Sequence, residues 1–186
     1  MKSLGPFLKP YLASMVIAVG LFLPAPLLAD KIDELFEQLQ TAKGRDLARA
    51  EEEIWIEWSR SGSPAMDLLL KRGREAMDAR DTTGAIEHLS ALIDHAPDFA
   101  EGYNARATAY FQANQYGPAL ADIRMVLALN PRHFGALGGF AIILDELGRE
   151  REALEVYRRL EGLHPSREGL AEAIARLERS LGDQEL

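Results

Sequence analysis

Three prolines recur at a spacing of 34 residues: Pro97, Pro131 and Pro165. Twelve residues before each stands an alanine (Ala85, Ala119, Ala153), and twelve before that a small residue (Gly73, Ala107, Ala141). Proline makes up roughly 5% of ordinary sequence, so chance does not produce a triple register of this kind. A fixed period in this range marks a stacked array of helix pairs, each burying its apolar face on the next. The expected fold is therefore all-α, an α-solenoid of antiparallel helix pairs. Such an array suits a binding scaffold better than an enzyme.

With the proline at position 32, the units run over residues 66–99, 100–133 and 134–167. Small residues at positions 8 and 20 let the two helices of a unit cross at the short end of the usual 8–10 Å separation. Residues at positions 4, 7, 11 and 21, 24, 28 recur at helical spacing and form apolar stripes. Glycine, asparagine or aspartate near positions 15–19 marks the turn between helices. Proline disfavours helix at the residue before it and so ends the second helix. Position 7 holds Arg72 and Arg106, and a buried arginine needs a partner. For Arg106 the expected one is Asp122 on the facing helix.

Leu69, Tyr103 and Leu137 stand at position 4, Ala76, Tyr110 and Leu144 at position 11, and Leu89, Ile123 and Tyr157 at position 24. With the small residues at 8 and 20, the unit AEGYNARATAYFQANQYGPALADIRMVLALNPRH resembles the tetratricopeptide repeat (TPR) over its whole length. The chain departs from that family at position 27, where Leu92, Val126 and Leu160 replace its alanine. The resemblance implies a TPR superhelix whose concave face holds a peptide or helix of a partner protein. Carried over from the family's groove positions, the candidate binding residues are Lys71, Arg74, Met77, Asn104, Thr108, Phe111, Gln112, Gly135, Gly139, Ile142 and Asp145. One TPR subclass clamps a peptide carboxylate with lysine, asparagine and arginine. Here those positions hold Leu70, Ala105, Gly135 and Gly139, with Arg74 the lone cation, so no such clamp is expected. Gly135, Gly138 and Gly139 fall together on the groove side of one helix, at a cost of about 0.8–1 kcal/mol each relative to alanine. Two readings stand: bare backbone that lets a partner chain approach, or a weak helix held by its neighbours.

An array needs capped ends. Leu170, Ile174, Leu177 and Leu181 form one stripe, giving a C-terminal capping helix over 168–181 with Ser166 as its N-cap and a tail at 182–186. Residues 30–65 read as a degenerate TPR-like N-terminal helix pair. Ile32, Leu35, Phe36 and Leu39 line its first helix and Leu47, Ile54 and Trp58 its second. Glu51 stands where the family has alanine, and Trp55 and Trp58 read as cap packing.

Residues 1–29 read as a secretory signal peptide. Lys2 and Lys9 form a basic start, an apolar heart follows at 12–23, and cleavage is expected after Ala29. An uncleaved membrane anchor is the other reading, because Leu27 fits poorly at the −3 position. Without Lys2 and Lys9, 19 basic residues face 29 acidic ones, a net charge of −10 that repels nucleic acid and anionic lipid. The chain has no cysteine, so disulfide, thiolate and lipoprotein chemistry are excluded. It also lacks a phosphate-binding glycine loop, a nucleophile elbow and H-E-x-x-H, and no cofactor or metal is expected. His88 and His95 share a helix face but lie about 10.5 Å apart along the axis, too far for one zinc ion. His95 and His164 are expected as cations at helix C-termini. The chain is similar to small exported bacterial TPR proteins, which implies a non-enzymatic adaptor in the periplasm. A membrane-anchored subunit of an envelope assembly complex and an accessory to a cell-wall enzyme are the alternatives.

Overall fold

The same turn is solved three times in the same way. Arg80, Asn114 and Gly148, each at position 15 of its unit, adopt left-handed φ values of 61°, 57° and 71°. Glycine meets that conformation without strain, whereas an arginine there costs roughly 1–2 kcal/mol. Ala96, Asn130 and His164, each directly before a unit's proline, leave the helical region with φ of −137°, −137° and −146°. That is the restriction proline places on its predecessor.

These turns punctuate a computed structural model that describes residues 26–184. Among the described residues there are nine helices and no strand. They are α1 (Pro26–Thr41), α2 (Arg45–Trp58), α3 (Pro64–Asp78), α4 (Thr82–His95), α5 (Ala100–Gln112), α6 (Tyr116–Leu129), α7 (Phe134–Glu146), α8 (Glu150–Leu163) and α9 (Leu170–Gln184). The pairs α3–α4, α5–α6 and α7–α8 are the three expected units, stacked in chain order as an α-solenoid.

Small residues bring each pair together. Ala85, Ala119 and Ala153 are wholly buried. A Cβ on Gly73 would lie 2.5 Å from Leu89 Cγ, so no larger residue fits between α3 and α4. Between units, Leu70, Leu89, Leu92 and Ala105 form one buried cluster, and Ile93, Tyr103, Val126 and Ala136 the next. Each large apolar side chain buried there contributes about 1.5–3 kcal/mol. Arg106 grips Asp122 through two bonds (Nε–Oδ2 2.7 Å, Nη2–Oδ1 2.8 Å) and also donates to Ser90 Oγ at 3.0 Å. Arg72 instead points into water and needs no partner.

The N-terminal pair forms at the expected place but does not stack on the first unit. Leu35, Phe36, Leu39, Ala50 and Ile54 share a core with Phe134, Leu137 and Leu160 of the third unit. The first unit's own cluster contains no residue of α1 or α2. The hairpin thus folds back across the array. Phe134, wholly buried, meets Phe36, Trp55 and Trp58 at ring-centroid distances of 6.4, 5.2 and 4.9 Å. Asp33 pairs with Arg132 at 2.7 Å, and Gln40 donates to the Gly162 carbonyl at 3.3 Å.

At the other end, Leu170, Ile174 and Leu177 pack into the same core. α9 begins at Leu170, after Gly169 turns the chain with φ of 73°. Ser166 therefore lies too far ahead to cap it, and the helix runs on through the expected tail to Gln184. Of the expected signal segment, residues 1–25 lie outside the described residues. α1 starts at Pro26, where a proline fits the first turn, and so spans the expected cleavage junction. No helix among the described residues is long and apolar enough to cross a membrane.

Candidate functional site

The eleven candidate residues lie on the first helices α3, α5 and α7. Six of the eleven meet: Asn104, Thr108, Phe111, Gly135, Gly139 and Ile142 line one cavity of about 240 Å³. Its floor is α7, where Gly135, Gly138 and Gly139 present no side chain. A Cβ on Gly139 would come no nearer than 3.8 Å to Ile123 Cδ1, and one on Gly138 no nearer than 3.6 Å to Arg167 Nη2. Phe111, held against Tyr116 with ring centroids 5.9 Å apart, forms one wall, and Ile142, 41% exposed, forms another. Thr108 donates its hydroxyl to the Asn104 carbonyl at 3.0 Å. A second cavity of about 210 Å³ shares Gly138, Ile142 and Arg167 and reaches toward α9.

The other five candidates do not join this cavity. Lys71 is exposed and lies 3.7 Å from Glu75. Arg74 is committed to Glu101 Oε1 at 2.5 Å and to Ser59 Oγ at 3.1 Å. Met77 packs on the Leu70–Leu89–Leu92 cluster. Gln112 is exposed at the end of α5. Asp145 is bonded to Arg176 of α9.

Beside the cavity lies a buried polar relay. Glu101 is 2% exposed and receives Arg74, Asn104 Nδ2 (3.3 Å) and His133 Nε2 (3.0 Å). The Ala136 amide donates to His133 Nδ1 at 3.1 Å, so the ring proton sits on Nε2 and is donated to Glu101. Trp58 stacks on the His133 ring with centroids 4.3 Å apart. Trp55 presses on α7 so closely that a Cβ on Gly135 would lie 2.5 Å from Trp55 Cη2. The bare backbone expected to admit a partner chain therefore admits, at this one glycine, the chain's own α2.

Arg167 was not among the sequence candidates, yet it lines both cavities. It sits in the loop before α9, and the family's groove positions lie on first helices alone. His164 is buried rather than presented as a helix-end cation. Burial pulls its pKa below 6.5, against the upward pull of Glu51. Among the described residues, no group of three or more histidines, aspartates or glutamates could hold a metal ion.

The family model described as "Tetratricopeptide repeat" matches residues 70–131 and 104–168. A TPR repeat-containing protein of Rhizobium etli is 36% identical over 137 residues, which are 73% of this chain and 67% of that protein. Among solved structures, the first TPR of Spaghetti (RPAP3) bound to an HSP90 peptide superposes with a TM-score of 0.62 at 22% identity, covering 64% of this chain and 95% of that one. MamA superposes with a TM-score of 0.57 at 20% identity, covering 87% of this chain and 86% of that one. At such identities the two structures speak to the fold alone.

Proposed function

Since the chain belongs to the tetratricopeptide-repeat family, we propose that it is a non-enzymatic adaptor that holds a peptide of a partner protein in the groove between α5 and α7. One observation carries this reading: the cavity walled by Phe111 and Ile142 stays open over Gly138 and Gly139, where an added Cβ would meet no atom nearer than 3.6 and 3.8 Å. Exposed apolar groups on a concave face mark binding sites, and a bare backbone lets a ligand main chain come close. The RPAP3 domain, bound to an HSP90 peptide, lends support from a protein of the same fold.

The chemistry favours an apolar anchor over a terminal carboxylate. Leu70 and Ala105 are buried between units, and Arg74 is already neutralised by Glu101. What remains is apolar, with Asn104, Thr108 and Arg167 at the edges. An export signal at 1–29 would put this groove in the periplasm.

The test is a photocrosslinking amino acid at Phe111 in the native host. The expected result is one dominant protein adduct, reduced at least about tenfold by Ile142→Glu, because a charge buried in an apolar contact is costly. Adducts that survive Ile142→Glu unchanged, or none at all, overturn the reading.

A further inference from the structure

The hairpin sits on the array as a ligand sits on a receptor. Its side chains enter the buried cluster that holds Phe134, Leu137 and Leu160 of the third unit, whereas the other three clusters of the array contain none of them. Its tether is the short link from Ser59 to Ser63, pinned where Ser61 bonds Asp67 at 2.6 Å. The contact has defined chemistry. Trp55 lies on Gly135, Trp58 stacks on His133, and both flank Phe134. Charge is complementary too: in a chain of net charge −8, Arg132 and Arg167 on this rim face Asp33 and Glu51 of the hairpin.

The fit is incomplete. His164 is wholly buried with both ring nitrogens unbonded, and Arg167 Nη1 is also buried without a hydrogen bond. Glu51 stops short of both, 3.5 Å from His164 Nε2 and 3.9 Å from Arg167 Nη1. A helix that brought its carboxylate closer would satisfy groups that the resident leaves unsatisfied.

We propose that the rim formed by Arg132, His133, Phe134, Gly135, His164 and Arg167 is a receptor for an acidic amphipathic helix bearing two aromatic residues three positions apart, and that α2 is its tethered resident. A partner carrying the same face, with a better-placed carboxylate, displaces the hairpin. Gly135 and Arg167 border both this surface and the α5–α7 groove, but Phe134 belongs to this surface alone and Phe111 to the groove alone.

The probe is a fluorescein-labelled peptide of residues 31–60, added to the full chain. A tethered resident competes at an effective concentration of about millimolar, so the unaltered chain should bind the probe weakly. The double variant Trp55→Ala with Trp58→Ala should bind it at least about tenfold more tightly. Adding Phe134→Ala should abolish that gain, whereas adding Phe111→Ala should leave it, which separates this surface from the groove. Equal binding by the unaltered chain and the double variant overturns the proposal, as does a gain that Phe134→Ala leaves intact. The unaltered chain gives a second readout, because both of its tryptophans lie on α2. Excess unlabelled peptide carrying W55F and W58F should shift their emission to the red. No shift at saturation also overturns it.

Discussion

Gly135 and Gly139 stand one helical turn apart on α7, yet their surroundings are opposite. Beside Gly135 a new Cβ would lie 2.5 Å from Trp55 Cη2 and 3.0 Å from Cζ2. That indole cannot yield, because Trp58, His133 and Phe134 hold it with ring centroids 5.6, 5.4 and 5.2 Å away. Beside Gly139 the nearest atom is Ile123 Cδ1 at 3.8 Å, an ordinary contact. Gly135→Ala should therefore destabilise the fold by about 1–3 kcal/mol through overpacking and alter tryptophan emission. Gly139→Ala should stabilise it by up to about 1 kcal/mol through helix propensity and leave the emission unchanged. Urea unfolding followed by circular dichroism measures both, and changes of the same sign would contradict the geometry. The sequence showed that these glycines share a face. It could not show what lies opposite each one, because Trp55 is 80 positions away, on a hairpin whose docking the repeat spacing does not report.

At the scale of the helix, α2 explains what the spacing could and could not reveal. The repeat period is a local property: it reports which helices pair, through small residues at fixed positions. It thus disclosed α3 to α8, their turns and the Arg106–Asp122 pair. The N-terminal pair over 30–65 also read as a degenerate unit, but docking is decided by side chains. Glu51 occupies the position where two helices of a repeat would cross, and the buried small residue is Ala50, one position earlier. A carboxylate cannot enter that seam, and here it faces His164 and Arg167 from outside. This placement makes docking sensitive to pH. Burial, the largest influence on His164, pulls its pKa below 6.5, Arg167 pulls the same way, and Glu51 opposes them. The folded state therefore favours the neutral ring, and the unfolded state takes up the proton more readily. Stability from this site is complete above about pH 6.5 and is lost as pH falls from there toward the lowered value. The urea midpoint should drop between pH 7.5 and 5.5, and His164→Gln should flatten that drop. An equal drop in the variant would assign it to other groups.

In the whole molecule, the hairpin breaks the rule that a repeat touches only its neighbours. It bonds the first unit through Ser59–Arg74 and Ser61–Asp67 and shares a core with the third, so it ties both ends of the array together. This closure bears on how much of the N-terminus the fold needs. Lys31 pairs with Glu57 at 2.6 Å, and the buried face of α1 consists of Leu35, Phe36 and Leu39. All of these lie beyond the junction between Ala29 and Asp30. Cleavage there would shorten α1 at its first turn and leave every one of these contacts in place. Protein recovered from the native envelope should accordingly have an intact mass that begins at Asp30. A recombinant chain starting at Asp30 should keep the tryptophan emission of the docked hairpin, since it retains Phe36, His133 and Phe134, the rings against which the two indoles pack. Full-length chain in the membrane pellet, with no shortened form beside it, would instead mean that the apolar segment anchors the solenoid to the bilayer.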